Sequence, residues 1–146
     1  DSRLIRKGAT VWLPVRRPGA MLSMGDLHAT MGDGEVSGTG IEIAGEITVR
    51  VRLAKDCLLN LPVTETRDAW FVNCNGETCD EAIAEGYKEM QRLISRAYGW
   101  DSTDTALYMS IQGFLECNQA CLEPIGGGNT FRVGTPKVPS KPRLVG

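Results

Sequence analysis

The sequence predicts an α+β protein, with a β-rich core of sandwich or barrel type and two helices in its second half. Three observations carry that expectation. From Ser37 to Leu53, Ile41, Ile43, Ile47, Val49, Val51 and Leu53 fall on odd positions, and Glu42, Glu46, Arg50 and Arg52 fall on even ones. Apolar residues at every second position define one face of a strand. From Thr78 the period changes: Thr78-x-x-Glu81 forms a capping box, and Ala82, Ile83, Gly86, Met90, Leu93, Ile94 and Ala97 follow at helical spacing. A second helical run begins near Ser102 and carries Ala106, Leu107, Met109 and Ile111. At 146 residues the chain can bury one ordinary core, so residues 1–146 are expected to form a single unit.

The elements follow in order. Residues 9–15, A-T-V-W-L-P-V, read as a strand that Pro14 confines to an edge or a bulge. Pro18-Gly19 marks a turn. A second apolar run, Ala20 to Met24, leads into Gly25 and Asp26. Asp33-Gly34 marks a tight reversal, so that Asp26 and His28 lie on one strand and Glu35 to Glu42 on the next. The odd face of the long strand that follows is expected in the core. Gly38 and Gly40 share the even face with Glu42, where a ligand or a second backbone could come close. Residues 57–63 read as a loop or weak edge strand. Thr66 to Cys74 reads as a buried strand ending in an Asn75-Gly76 turn. The first helix ends at Gly99 as a left-handed cap, with Glu85, Lys88, Glu89 and Arg92 outside. The second helix has Asp104 in its first turn, at the positive end of the helix dipole, and stops near Gly113. Phe114 to Cys121 returns to strand, Gly126 to Asn129 is a turn, Phe131 to Val133 is a last short strand, and the proline-spaced tail lies extended on the surface.

Composition excludes several function classes. The net charge is -2 and the pI about 5.4, with no basic patch, which argues against nucleic acid. No apolar run approaches the ~20 residues of a membrane span. Five cysteines, Cys57, Cys74, Cys79, Cys117 and Cys121, with no secretory leader expected, point to reduced thiols and a cytoplasmic setting. Their spacing is poor for a structural zinc site.

Chemistry concentrates between Gly25 and Glu42. This stretch holds His28, the only histidine, with Asp26, Asp33, Glu35 and Glu42. Asp26 and His28 are two apart, as are Asp33 and Glu35, so each pair shares a face in extended chain. One imidazole and several carboxylates converging from two strands make an N/O ligand set suited to zinc, or to manganese or iron. Asp26, His28, Asp33 and Glu35 are the candidate metal ligands. Glu42, set apart on a glycine-lined face, is the candidate general base and acid. The plainer reading is a hydrogen-bonded surface histidine beside ordinary turn residues. No EF-hand spacing, G-x-S-x-G elbow or G-K-[ST] loop is present, and no cysteine neighbours His28.

The run P-G-A-M-L-S-M-G-D-L-H-A-T-M-G-D-G-E-V-S-G-T-G-I-E, Pro18 to Glu42, resembles the signature of the acetamidase/formamidase family. Met31 stands where many members have Gln, and Gly40 where many have Ala. Leu13-Pro14-Val15, Gln119-Ala120-Cys121 and the R-V-G-T-P-K run from Arg132 extend the likeness, the last toward the acetamidase branch. The resemblance implies hydrolysis of formamide, acetamide and related small amides to carboxylate and ammonia. The cofactor it implies is a divalent metal, commonly zinc, with a water on the metal as nucleophile. It also implies members about twice this length, so the chain is expected to correspond to a C-terminal half. Its expected partners are a small amide and either further copies of itself or an N-terminal half, on which activity could depend. The alternative is a catalytically incomplete interface module that binds a metal ion incidentally.

Overall fold

The computed structural model describes residues 2–119 and 129–146, so Ala120, Cys121 and the expected turn from Gly126 to Asn129, except Asn129 itself, lie outside the described residues. Five strands make one open antiparallel sheet, β1 (Thr10–Trp12), β2 (Val63–Glu65), β3 (Ala69–Gly76), β4 (Phe114–Gln119) and β5 (Asn129–Pro136), in the order β1-β2-β3-β5-β4. The sheet does not close on itself, so the expected sandwich or barrel is an open sheet carrying helices. Helix α1 (Cys79–Tyr98) lies against β3 and β5, and α2 (Ser102–Gln112) packs beside it. No helix among the described residues is long and apolar enough to cross a membrane.

The second half follows the local signals closely. The Thr78–Glu81 capping box forms with both reciprocal bonds, and Gly99 closes α1 at φ 70°. Asp101 caps α2 by accepting from the Asp104 N–H. The core joins Val63, Trp70, Val72, Cys74, Met90, Leu93, Ile94, Met109 and Val133. Gly86 lets α1 approach the sheet, since a Cβ there would sit 2.6 Å from Cys74 Sγ and 2.7 Å from Val133 Cγ2. Alanine would gain about 1 kcal/mol of helix propensity, but overpacking at such distances costs about 1–3 kcal/mol. Gly86→Ala is therefore expected to lower stability by up to about 2 kcal/mol in urea unfolding. A rise in stability would show that the helix–sheet gap is looser than these distances require.

Several expectations give way here. Asn75-Gly76 is not a turn: β3 runs through both residues, paired with Thr130 and Asn129 of β5. Glu89 is not outside. It is buried, accepting from the Asn60 N–H and side chain (2.9 and 2.8 Å) and from Arg92 (2.8 and 2.7 Å). Burial raises its pKa, but the bonds from Arg92 and Asn60 outweigh that and hold the carboxyl below the ordinary range. The tail Pro136–Arg143 is half-buried to exposed, with Lys137 and Arg143 pairing with Glu65; beyond it, Leu144 and Val145 enter the core.

The largest departure is the expected strand over residues 37–53. It is not a strand of the sheet; pairing is confined to a single bridge, His28 with Glu42. The apolar run Ala20–Met24 is irregular, with Ala20 and Met21 at positive φ. The alternation from Ile41 to Leu53 is real, but beyond Ile43 the described residues offer it no paired strand, and these apolar side chains stay exposed. A period-two pattern specifies a face, and a strand forms only where a partner takes its hydrogen bonds.

Candidate metal centre

The site is built on a short antiparallel ribbon. Ala29 N–H donates to Ile41 O (2.8 Å), Ile41 N–H to Thr30 O (2.9 Å) and Ile43 N–H to Leu27 O (3.0 Å). His28 and Glu42 are thereby opposite one another as a non-hydrogen-bonded pair, the position where cross-strand side chains come closest. Asp26, two residues before His28, falls on the same face. The reversal is wider than a tight Asp33-Gly34 turn, so Glu35 lies in the connecting loop rather than on the second strand. Gly40 backs the imidazole: a Cβ there would stand 2.9 Å from His28 Cγ and 3.0 Å from Thr30 O. The expected close approach beside Glu42 is thus made by a second piece of this chain.

Three donors meet at this point. One ligand atom each from Asp26, His28 and Glu42 lies within 4.8 Å of the others. His28 Nε2 is 2.7 Å from Glu42 Oε1, 3.5 Å from Asp26 Oδ1 and 3.8 Å from Glu35 Oε1. The short Glu42 contact lacks hydrogen-bond geometry, and Nε2 is a buried nitrogen without a hydrogen-bond partner. A buried polar atom facing carboxylate oxygens is costly unless a proton or a cation lies between them. Donors bound at about 2.0–2.2 Å to one cation stand roughly 3–4 Å apart; the His28–Asp26 distance lies in that range and the His28–Glu42 distance slightly below it, so a small adjustment at Glu42, 56% exposed, would let the set hold a divalent ion. Asp26 and Glu35 both hold positive φ, 60° and 41°. Backbone strain of this kind clusters at functional sites.

The loop that closes the ribbon is pinned to the far end of the sheet. Arg132 of β5, 1% exposed, donates from Nη2 to Asp33 Oδ1 (2.6 Å) and from Nε to Glu116 Oε2 (2.6 Å). Arg3 also reaches Asp33, at 3.0 Å. A bulge between Cys117 and Gln119 interrupts the β4–β5 register, as bulges often do beside sites. There Asn118 O accepts from the Gly34 N–H (3.1 Å), and Gln119 Nε2 donates to Glu35 Oε2 (2.6 Å). Asp33 is thus placed on arginines, away from His28. Glu35 is buried, with one oxygen held by Gln119 and the other facing the histidine. Arg132 and Asn118 were not foreseen; an arginine within the apolar strand run Phe131–Val133 was the available signal. Burial pushes the Cys74 thiol up to about 11 and also raises that of Cys117, so neither is a thiolate nucleophile.

The acetamidase/formamidase family model matches residues 1–113 of the chain. A formamidase from Methylophilus methylotrophus is 46% identical over 108 residues, covering 66% of this chain and 26% of that protein. An acetamidase from Mycolicibacterium smegmatis is 42% identical over 65 residues, covering 44% of this chain and 16% of that protein. The crystal structure of an acetamidase from Bacillus halodurans superposes with a TM-score of 0.85 at 32% identity, over 93% of this chain and 45% of that one. In each case the match spans less than half of the relative's length.

Proposed function

The chain belongs to the acetamidase/formamidase family, and from that premise we propose that it forms the metal-binding part of an enzyme hydrolysing small linear amides, such as formamide and acetamide, to carboxylate and ammonia. The observation that carries the reading is His28 Nε2, buried, unpartnered and faced by the carboxylates of Glu42, Asp26 and Glu35. Asp26, His28 and Glu42 would hold the ion, zinc or another cation of the same N/O preference. When bound, such an ion supplies Lewis-acid polarisation of the amide carbonyl and acidifies a water.

The remaining work falls to the protein. Sequence spacing pointed to Glu42 as the proton carrier and to Glu35 and Asp33 as ligands. The geometry supports a different division. Glu42 is against the imidazole, whereas Glu35 stands back at 3.8 Å with Oε2 fixed by Gln119, leaving Oε1 free to accept the water's proton and pass it to the departing nitrogen. Asp33 positions the loop through Arg132.

Ammonia release from formamide and acetamide, with added zinc, tests this. Glu35→Gln is expected to cut the rate by about 10²–10⁴ while zinc still binds; an unchanged rate would remove Glu35 from the mechanism. A second reading, a cation-binding module without turnover of its own, is favoured by the exposure of Asp26 and Glu42, at 60% and 56%. Stoichiometric zinc with no ammonia released would select it.

A further inference from the structure

Among the described residues, the stretch from Ala44 to Leu53 has no strand paired to it, although the Leu27 side chain lies against Gly45. Beyond the Ile43–Leu27 bond, residues 44–53 make no main-chain hydrogen bond with the described residues. Along one edge of the alternation the side chains are open, from 40% exposed at Ile47 to 71% at Leu53. A solvated chain of this kind has no internal reason to keep one path, because fixing each residue costs about 1–2 kcal/mol of entropy. Yet the superposition on the Bacillus halodurans acetamidase leaves only 7% of this chain outside the match, far less than the irregular stretch 13–62. Most of that stretch therefore follows a path found in a protein more than half of whose length has no counterpart here.

We propose that Ile43–Leu53 is a docking strand for a β-segment from the portion of the family's length that this chain does not span, whether joined to this chain or separate. Free N–H and C=O groups supply the ladder, and Ile43, Ile47, Val49, Val51 and Leu53 supply the apolar face, the chemistry of strand addition. The inference rests on the family reading and deepens it, because the ribbon borders the site. An open depression of about 470 Å³ is lined by Met24, Asp26, Leu27, Ile43, Gly45 and Ile47. A segment docked on the ribbon roofs this depression, shields Asp26 from solvent, and turns an open cation site into an enclosed one.

The test is co-production of this chain with the part of the Bacillus halodurans acetamidase to which it does not align. The readouts are molar mass by light scattering, amide exchange over residues 44–53, and zinc affinity by chelator competition. The expected result is a 1:1 complex in which these amides slow by about tenfold or more and zinc binds about tenfold tighter than to the chain alone. Val49→Lys with Val51→Lys, both at exposed positions, should leave the isolated chain folded and abolish the complex. Absence of a complex, a complex indifferent to the two lysines, or protection of 44–53 in the isolated monomer would overturn the proposal. A homodimer that protects 44–53 would also overturn it, and would assign the strand to a second copy. None of these readouts needs turnover, so an inactive complex would defeat the amidase reading and leave the docking strand standing.

Discussion

Replacing His28 with alanine is expected to abolish stoichiometric zinc binding, weakening the affinity by at least about a hundredfold. Loss of a hydrogen-bonded group behind a metal ligand already costs 10–100-fold in affinity, and His28 is the single nitrogen donor in the cluster. The same substitution should not destabilise the metal-free protein. Nε2 has no partner to lose, and its removal relieves a buried atom of carboxylate oxygens at 2.7–3.8 Å. The sign therefore depends on the metal. With zinc at about a hundred times its Kd, the native chain gains about 2.7 kcal/mol from binding, and His28→Ala gains nothing. Thermal unfolding with and without zinc separates the two. A variant that still shifts with zinc would mean that the carboxylates alone hold the ion; one that unfolds early without zinc would make His28 a packing residue.

Arg132→Met is expected to lower stability by about 3 kcal/mol and to weaken zinc binding together with it. Removing one partner of a buried ion pair costs about 3–5 kcal/mol when the other is left uncompensated. Here the lower end applies, because Asp33 and Glu116 are 33% and 39% exposed and can take water. The loss in zinc affinity follows from geometry: Asp33 lies between His28 and Glu35 in sequence, and Arg132 ties it to the sheet. Arg132→Lys keeps a charge but cannot serve Asp33, Glu116 and Asn118 with one fork, so it should recover part of the stability and little of the affinity. Denaturant titration beside zinc competition checks both. Unchanged affinity in a folded Arg132→Met protein would show that the loop holds its place without the sheet.

The helices were legible because their instructions are local. Thr78, Glu81 and Gly99 carry the ends of α1 within their own neighbourhood; the sequence put the start of α2 near Ser102, and Asp101, which had not been singled out, caps it. The ribbon was legible in part: spacing alone put Asp26 and His28 on one face, and the glycine beside Glu42 anticipated the close approach that Gly40 makes to the imidazole. What could not be read was whatever depends on a distant partner. Glu89 looked solvated until Asn60 arrived 29 residues away in sequence. Asp33 and Glu35 share a spacing with Asp26 and His28, yet one is drawn to Arg132 and the other to Gln119, partners that no period encodes. The strand expected over 37–53 shows the same limit, since its pattern named a face without naming what meets it.

The anchoring of the loop also bears on the order in which the molecule comes together. The Gln119–Glu35 and Arg132–Asp33 bonds join residues 84 and 99 apart in sequence, whereas α1 and its cap close over three or four. Loop-closure entropy is spent before contacts of such separation are rewarded. The cation site is therefore expected to be completed late, after β4 and β5 have paired and the bulge has formed. A ligand that recognises only this finished arrangement acts on a closed door: it slows the escape from the native state and leaves the rate of reaching it unchanged.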